Sequence, residues 1–124
     1  MERYIKIYNT EELSNLTKQE IMLLFELCKR VKLGSYNDTN LVILSTRTRE
    51  EIARRLKLKD KKSLSDYLSR LIKKGIAKRE AVNQFRLNPN ILGRGTEQNI
   101  AIARRFYNND VVIDDTTGEI VEGL

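Results

Sequence analysis

The sequence predicts an α+β fold that is mainly helical, and three observations lead to this prediction. Apolar residues recur at helical spacing in four segments, and a residue able to cap a helix precedes each of them. Before the fourth of these segments, two short arms alternate polar and apolar residues, as the strands of a β-hairpin do. Positive charge is concentrated in the middle of the chain, where residues 46–86 carry fourteen basic and five acidic side chains, a net charge of +9.

The first 44 residues predict one helix between two short strands. Residues 3–8 alternate polar and apolar side chains, which predicts a strand, and residues 9–16 form a connector. The apolar run 41–44 is too short for a helix and contains β-branched residues, so it predicts a short buried strand.

The helix between these strands is predicted over about residues 18–32. It begins at a capping box, in which the Thr17 side chain accepts from a backbone N–H and Glu20 reaches back, and Gly34 ends it. The single cysteine lies on its apolar side and is expected to be a buried, unreactive thiol. The side chains predicted to face the core are Ile21, Leu24, Phe25, Cys28 and Val31.

Two further helices are predicted in close succession. A second capping box, from Thr48 to Glu51, opens the first, and the small residue Ala53 permits two helices to cross closely. A tight turn leads to Asp60, which can cap the next helix, and Gly75 ends that helix. Its predicted inward face carries Leu64, Tyr67 or Leu68, Leu71 and Ile72, and its outward face carries Lys61, Lys62, Ser63, Ser65, Asp66, Ser69, Arg70, Lys73 and Lys74.

A β-hairpin is predicted over residues 76–87, with its bend at residues 81–83. Pro89 must lie at or beyond its end, because proline has no N–H to donate to a neighbouring strand. Gly93 and Gly95 are expected to adopt positive φ angles and to turn the chain away from the hairpin.

Residues 96–124 are predicted to form a helix capped by Thr96 and an acidic tail with a second, terminal β-hairpin. This part either belongs to the domain formed by residues 1–95 or serves dimerisation, because terminal helices often join two copies of such domains. Residues 106–124 carry five acidic and no basic side chains, a net charge of −5. The apolar face of the helix carries Ile100, Ala101, Ala103 or Ile102, Phe106 and Tyr107.

Composition excludes several classes of function. The chain has no histidine and one cysteine, which excludes His-dependent catalytic triads, zinc fingers and the two-histidine metal cluster of proteins that nick DNA with a tyrosine. No apolar run approaches the roughly 20 residues of a membrane span, and the N-terminus lacks the pattern of a signal peptide. We therefore expect a cytoplasmic protein that is not an enzyme, does not bind membranes, and has no catalytic residues, metal or cofactor.

The predicted order of helix, strand, helix, turn, helix and hairpin is that of a winged helix-turn-helix. Its basic block coincides with the two elements that would face nucleic acid, so we expect a sequence-specific protein that binds double-stranded DNA. The third helix would enter the major groove and the hairpin, or wing, would contact phosphates or the minor groove. The residues predicted to bind DNA are Arg47, Arg49, Lys61, Lys62, Ser63, Ser65, Asp66, Ser69, Arg70, Lys73, Lys78, Arg79, Asn83, Gln84, Arg86 and Arg94.

Several segments resemble the RepL-type replication proteins of firmicute plasmids. They include "LTKQEIMLLFELCKRV", "LVILSTRTREEIARRL", "SLSDYLSRLIKKGIAKRE" and, most particularly, "FRLNPNILGRG", and the resemblance covers about residues 3–106. It implies a winged helix that binds an origin and supports replication of a plasmid or mobile element without nicking DNA itself. Replication proteins would then be further partners.

Three alternatives remain open at the level of sequence. The same fold can serve as an accessory DNA-binding protein of conjugative transfer, with transfer proteins as partners, or as a transcriptional regulator. A winged helix can also bind proteins rather than DNA, in which case changes in the terminal helix or the tail would abolish its function, whereas Arg70→Ala and Ser65→Ala would not. An enzyme that uses a tyrosine nucleophile is the fourth reading, with the candidates Tyr4, Tyr8, Tyr36, Tyr67 and Tyr107.

Overall fold

The computed structural model describes residues 5–32, 38–108, 111–113 and 120–122. These residues form an α+β fold with five helices and three small antiparallel sheets. The helices are α1 Thr10–Ser14, α2 Lys18–Cys28, α3 Thr46–Arg55, α4 Lys61–Lys73 and α5 Glu97–Tyr107. The strands are β1 Lys6–Ile7, β2 Leu41–Ile43, β3 Ala77–Ala81, β4 Gln84–Leu87, β5 Leu92–Gly93, β6 Val111–Ile113 and β7 Ile120–Glu122.

The predicted hairpin is confirmed and supplies two of the three strands of the largest sheet. Strands β3 and β4 pair through a turn at Val82 and Asn83, and β2 pairs with the other edge of β4, giving the order β2-β4-β3. Asn83 has a φ of 61°, a left-handed conformation that asparagine tolerates better than most residues. Pro89 lies two residues beyond the end of β4, as predicted. The predicted terminal strands also pair, as β6 and β7, while the turn between them lies outside the described residues.

The core lies between α2, α3, α4 and the three-stranded sheet. Leu23 and Leu27 of α2, Leu64 and Leu71 of α4, and Leu87 of β4 are completely buried in one cluster. Burial of a leucine contributes about 1.5–3 kcal/mol, so this cluster is the main source of stability for the helices that carry the basic block. No helix in the described ranges is long and apolar enough to cross a membrane.

Three of the predicted helix caps are confirmed. Thr17 and Glu20 form the reciprocal capping box of α2, with N–H···O distances of 3.2 and 2.8 Å. Asp60 caps α4 through the Ser63 N–H at 2.9 Å, and Thr96 caps α5. These contacts join residues three positions apart, which is why the sequence alone reveals them.

The predicted capping box at Thr48 is wrong, because α3 begins two residues earlier. Ser45 is its cap and accepts a hydrogen bond from the Thr48 N–H at 3.2 Å. The N–H of the buried Leu44 donates to the Asn83 carbonyl in the hairpin turn. The chain is therefore still paired with the hairpin at Leu44, and the helix can begin only at Ser45.

Two boundaries near the N-terminus also differ from the prediction. The expected connector contains the short helix α1, which Asn9 caps through the Glu11 N–H. Helix α2 ends at Cys28 rather than residue 32, because Val31 bridges to Val42 in the sheet. Strand pairing with a distant segment therefore competes with continuation of the helix. The predicted stop at Gly34 lies outside the described residues, and so do residues 3 and 4 of the predicted strand 3–8. Of the remaining residues of that strand, only Lys6 and Ile7 form β1.

Predictions for three individual residues differ from the structure. Phe25 is not in the core but is 54% exposed on α2, where Leu23 and Leu27 take the inward positions. Lys74 is exposed as predicted, but its ammonium group turns back to Glu20 of α2. Gly93 does not have a positive φ; it pairs with Lys6, and a side chain there would place Cβ 3.0 Å from Ile100 Cδ1. Gly95 has the predicted positive φ, 138°.

Helix α5 packs on its own chain. Ile100 and Ala103 are buried, whereas Ala101, expected on the apolar face, is exposed. The Arg104 guanidinium donates to the Pro89 carbonyl at 2.8 Å and lies 4.3 Å from the centroid of the Tyr8 ring.

A partly buried ion pair attaches the end of α4 to the start of α2. Lys74 Nζ lies 2.6 Å from Oε1 of Glu20, whose side chain is 1% exposed, and also donates to the Asn15 carbonyl. The hydrogen bond from Lys74 holds the pKa of the Glu20 carboxyl below its ordinary value of 4.5, although burial opposes this. The Glu20 side chain thus fixes the far end of the helix that carries the basic face.

We expect the Glu20→Gln variant to lose about 2 kcal/mol of unfolding free energy at neutral pH, because glutamine keeps the cap but not the charge. A lowered folded-state pKa stabilises the protein above the unfolded pKa, and this contribution is lost as the pH falls through the folded value. The gap between wild type and variant should therefore shrink as the pH falls below the ordinary carboxyl pKa of 4.5. Urea unfolding from pH 7 to 3 measures it, with the exposed Glu12→Gln variant as control. A gap that does not vary with pH would contradict the assignment.

Candidate nucleic-acid interface

Helix α4 presents a polar face opposite the core. Leu64, Leu68 and Leu71 hold its other face against the interior with at most 3% exposure. The outward face carries short polar and basic side chains, and the exposed ones are Lys62, Ser65, Asp66, Ser69, Arg70 and Lys73. The Lys61 side chain lies outside the described part of the chain.

Ser63 belongs to the helix cap rather than to this face. Its N–H and its hydroxyl both donate to Oδ1 of Asp60, at 2.9 and 3.0 Å. These two hydrogen bonds lower the pKa of the Asp60 carboxyl and keep it ionised as the cap of α4.

Arg70 lies against an aromatic ring. Its guanidinium carbon is 5.0 Å from the centroid of the Tyr67 ring, three residues earlier on the same helix. Within the described ranges no ion pair joins it to Asp66, which lies one turn earlier on the same helix. The guanidinium donors of Arg70 consequently remain available at the surface.

The hairpin divides the predicted wing residues between its two faces. Residues directly opposite each other on paired strands share a face, and Arg79 is opposite Phe85 while Lys78 is opposite Arg86. The Phe85 face points toward α3 and α4, because Phe85 is buried in their cluster. Arg79, exposed on that face, therefore lies beside α4, and Lys78 and Arg86 lie on the other side.

Lys78 and Arg86 are engaged within the chain. Lys78 Nζ donates to the Tyr107 carbonyl at 2.8 Å and lies 4.3 Å from the centroid of the Tyr107 ring. Arg86 is 12% exposed, pairs with Glu80 and donates to the Thr39 carbonyl at 2.6 Å. These two cations connect the hairpin to its neighbours and lie on the face of the hairpin opposite the candidate interface.

A depression of about 150 Å³ lies where α3, α4 and the hairpin meet. Arg49 of α3 and Arg79 of β3 line it together with the hydroxyl side chains Ser65 and Ser69 of α4. Phe85, from β4, supplies apolar surface. None of the described residues that line it is acidic, so its electrostatic character is positive.

Arg49 is oriented by the hairpin turn. Its Nη2 donates to Oδ1 of Asn83 at 3.3 Å, and its guanidinium carbon lies 5.9 Å from the centroid of the Phe85 ring. The Asn83 carbonyl in turn accepts from the Leu44 N–H at 2.8 Å, so the turn is anchored to the start of α3. Asn83 was predicted as a nucleic-acid contact, and the structure places its amide against Arg49.

The remaining predicted residues lie around this centre. The Arg47 side chain is 90% exposed, and its only ion pair within the described ranges is a 3.5 Å contact with Glu51. Gln84 is half-buried and opposite Ile43. Arg94 is half-buried, and its backbone N–H donates to Asn40.

Two aromatic side chains belong to the site but were not predicted there. Tyr67 lies against Arg70 and Phe85 against Arg49. The spacing of three residues between Tyr67 and Arg70 is a local signal, whereas the Arg49–Phe85 contact joins residues far apart in the sequence and had no local signal.

Two of the tyrosines named as candidate nucleophiles, Tyr8 and Tyr107, have raised pKa values, whereas activation of a hydroxyl as a nucleophile requires a lowered one. Burial and the hydrogen bonds to Glu97 raise the pKa of the Tyr8 hydroxyl, and burial raises the pKa of Tyr107 to about 12. Burial likewise raises the pKa of the Cys28 thiol to about 11. In the part of the chain that the structure describes, no group of three or more acidic, cysteine or histidine side chains is placed to hold a metal ion.

Comparison of the chain with protein-family models, with curated proteins and with solved structures finds no match.

Proposed function

We propose that the chain is a winged helix-turn-helix protein that binds double-stranded DNA, with α4 as recognition helix and the β3–β4 hairpin as wing. The observation that carries this proposal is the outward face of α4, whose exposed side chains are short or basic. It lies beside the positive depression formed with α3 and the wing.

The dimensions and chemistry of this face fit the major groove of DNA. The groove is about 12 Å wide and admits a helix, provided that the side chains on the entering face are short. Ser65 and Ser69 meet this requirement, and Arg70 can donate two hydrogen bonds to a guanine edge. Lys62 and Lys73 lie near the two ends of α4, from which they would contact phosphates on either side of the groove.

Origin binding is the cellular role that we propose for this DNA-binding activity, on the strength of the sequence resemblance alone. A replication initiator that does not nick DNA recognises repeats in an origin, and a homodimer would match paired repeats. The same interface would serve an accessory protein of conjugative transfer or a transcriptional regulator, and the location of the bound sequence separates these roles.

Selection of bound duplexes from fragmented DNA of the source cell and its mobile elements, followed by footprinting, tests the proposal. We expect enrichment of a defined duplex, with an affinity that falls steeply as salt increases. A repeat array in an origin supports initiation, and a site beside a transfer nick or promoter supports the other two roles. Equal affinity for all duplexes would contradict sequence-specific binding, and no enrichment at all would favour a winged helix that binds proteins.

A further inference from the structure

We propose that Arg49 and Arg79 jointly bind one internal backbone phosphate of duplex DNA in the depression between α3, α4 and the wing, and that Asn83 positions Arg49 for this contact. The inference rests on the proposed DNA-binding function and specifies which residues share a phosphate. We call the four polar residues Arg49, Ser65, Ser69 and Arg79 the phosphate clamp.

Both arginines have unused donors, and both line the same depression. A guanidinium has five N–H donors, and Arg49 uses one of them on Asn83. Arg79 is exposed and makes no hydrogen bond or ion pair with any described residue. Two cations on adjacent elements repel each other, so an anion between them would relieve this repulsion.

A phosphodiester fits the depression better than a carboxylate or a base edge. Its two non-bridging oxygens can accept from both guanidinium groups, while the hydroxyls of Ser65 and Ser69 supply further donors. The apolar surface of Phe85 and Leu68 suits the deoxyribose attached to the phosphate. A DNA strand that leaves the major groove occupied by α4 toward the wing would cross this position.

Asn83 is a positioning residue in this arrangement. Its left-handed backbone, with a φ of 61°, forms the turn of the wing, and its side chain holds the guanidinium of Arg49 over Phe85. Movement of the wing would therefore change the direction in which Arg49 donates. The Asn83→Gly variant separates these roles, because glycine keeps the positive φ while the amide is removed.

The salt dependence of binding distinguishes one shared phosphate from two separate ones. The slope of log affinity against log salt changes by about 0.9 for each phosphate neutralised. We expect the double variant Arg49→Gln, Arg79→Gln to reduce the slope by about 0.9 and each single variant to reduce it by less. The probe is the duplex obtained in the selection, and the control is Lys18→Gln, which removes one positive charge from α2 outside the depression. A reduction of about 1.8 in the double variant would show two phosphates and overturn the proposal.

Neutral phosphate analogues locate the contact on the DNA. We expect one methylphosphonate position to weaken wild-type binding about tenfold and to have no further effect on the double variant. Asn83→Gly should lose part of the same effect with an unchanged melting temperature. If methylphosphonates weaken binding of the double variant as much as binding of wild type at every phosphate position, the clamp is contradicted. An affinity that depends on a 5′-terminal phosphate would assign the site to strand ends instead. Wild-type protein that binds no duplex would overturn both the clamp and the proposed function.

Discussion

Replacement of Ser65 and Ser69 by glutamate is expected to weaken DNA binding about 100-fold or more. Both hydroxyls are exposed on α4 and line the depression beside Arg49 and Arg79. Two carboxylates there would pair with these arginines and would repel the phosphates that approach the helix. Glutamate is also a better helix former than serine, so the fold itself should not be weakened.

The control for this experiment adds the same charge elsewhere. Gln19 on α2 and Ala101 on α5 are exposed, and glutamate at both positions changes the net charge by the same amount. We expect this control to bind DNA nearly as well as wild type, apart from a small general effect of charge. Fluorescence anisotropy with the selected duplex measures the affinities, and circular dichroism verifies the fold. Equal loss in both double variants would mean that α4 is not the face that meets DNA.

Substitution of Asn40 by alanine is expected to lower the free energy of unfolding by about 3 kcal/mol or more and the melting temperature by roughly 10 °C. Asn40 is completely buried, with a φ of 63°. Its amide donates to the carbonyls of Leu87 and Leu92 and accepts from the Arg94 N–H, at 2.8–3.2 Å. Alanine would remove these three hydrogen bonds, which join β4 to the segment from Leu92 to Arg94.

The glycine variant at the same position separates the loss of the hydrogen bonds from the cost of the positive φ. Asn40→Gly removes the same hydrogen bonds but tolerates the positive φ, so it should be more stable than Asn40→Ala by about 1 kcal/mol. Differential scanning calorimetry of both variants and wild type gives these differences. A loss below about 1 kcal/mol in both would show that water replaces the amide and that the side chain does not hold the strands together.

Much of the local structure follows from contacts between neighbours in the sequence. The caps at Thr17, Asp60 and Thr96 join residues three positions apart, and the β3–β4 hairpin follows from alternation and a short turn. These interactions depend on few other residues, so sequence patterns predict them well. The start of α3 was mispredicted because it depends on a long-range hydrogen bond. The Leu44 N–H donates to the Asn83 carbonyl, and the helix begins directly after that contact, at the Ser45 cap.

The candidate site was only partly predictable. The outward face of α4 follows from helical periodicity, and Ser65, Ser69, Arg70 and Lys73 lie on it as expected. The predicted wing residues, in contrast, could not be sorted from the sequence into the two faces of the hairpin. Alternation shows that Lys78 and Arg79 point in opposite directions, but it does not show which of them faces α4.

The sequence by itself determined the order of the four longer helices and the hairpin, three of the helix caps and the position of the basic block, because each depends on residues close together in the chain. Only the tertiary structure decided which cations remain available to a ligand. Lys78 pairs with a residue 29 positions away, Arg86 with one 47 away and Lys74 with one 54 away. The charge of a side chain follows from its residue type, but its availability to a ligand depends on the partners that folding brings to it. Lys74, Lys78 and Arg86 therefore stabilise the fold, whereas Arg49 and Arg79 have donors left for the proposed clamp.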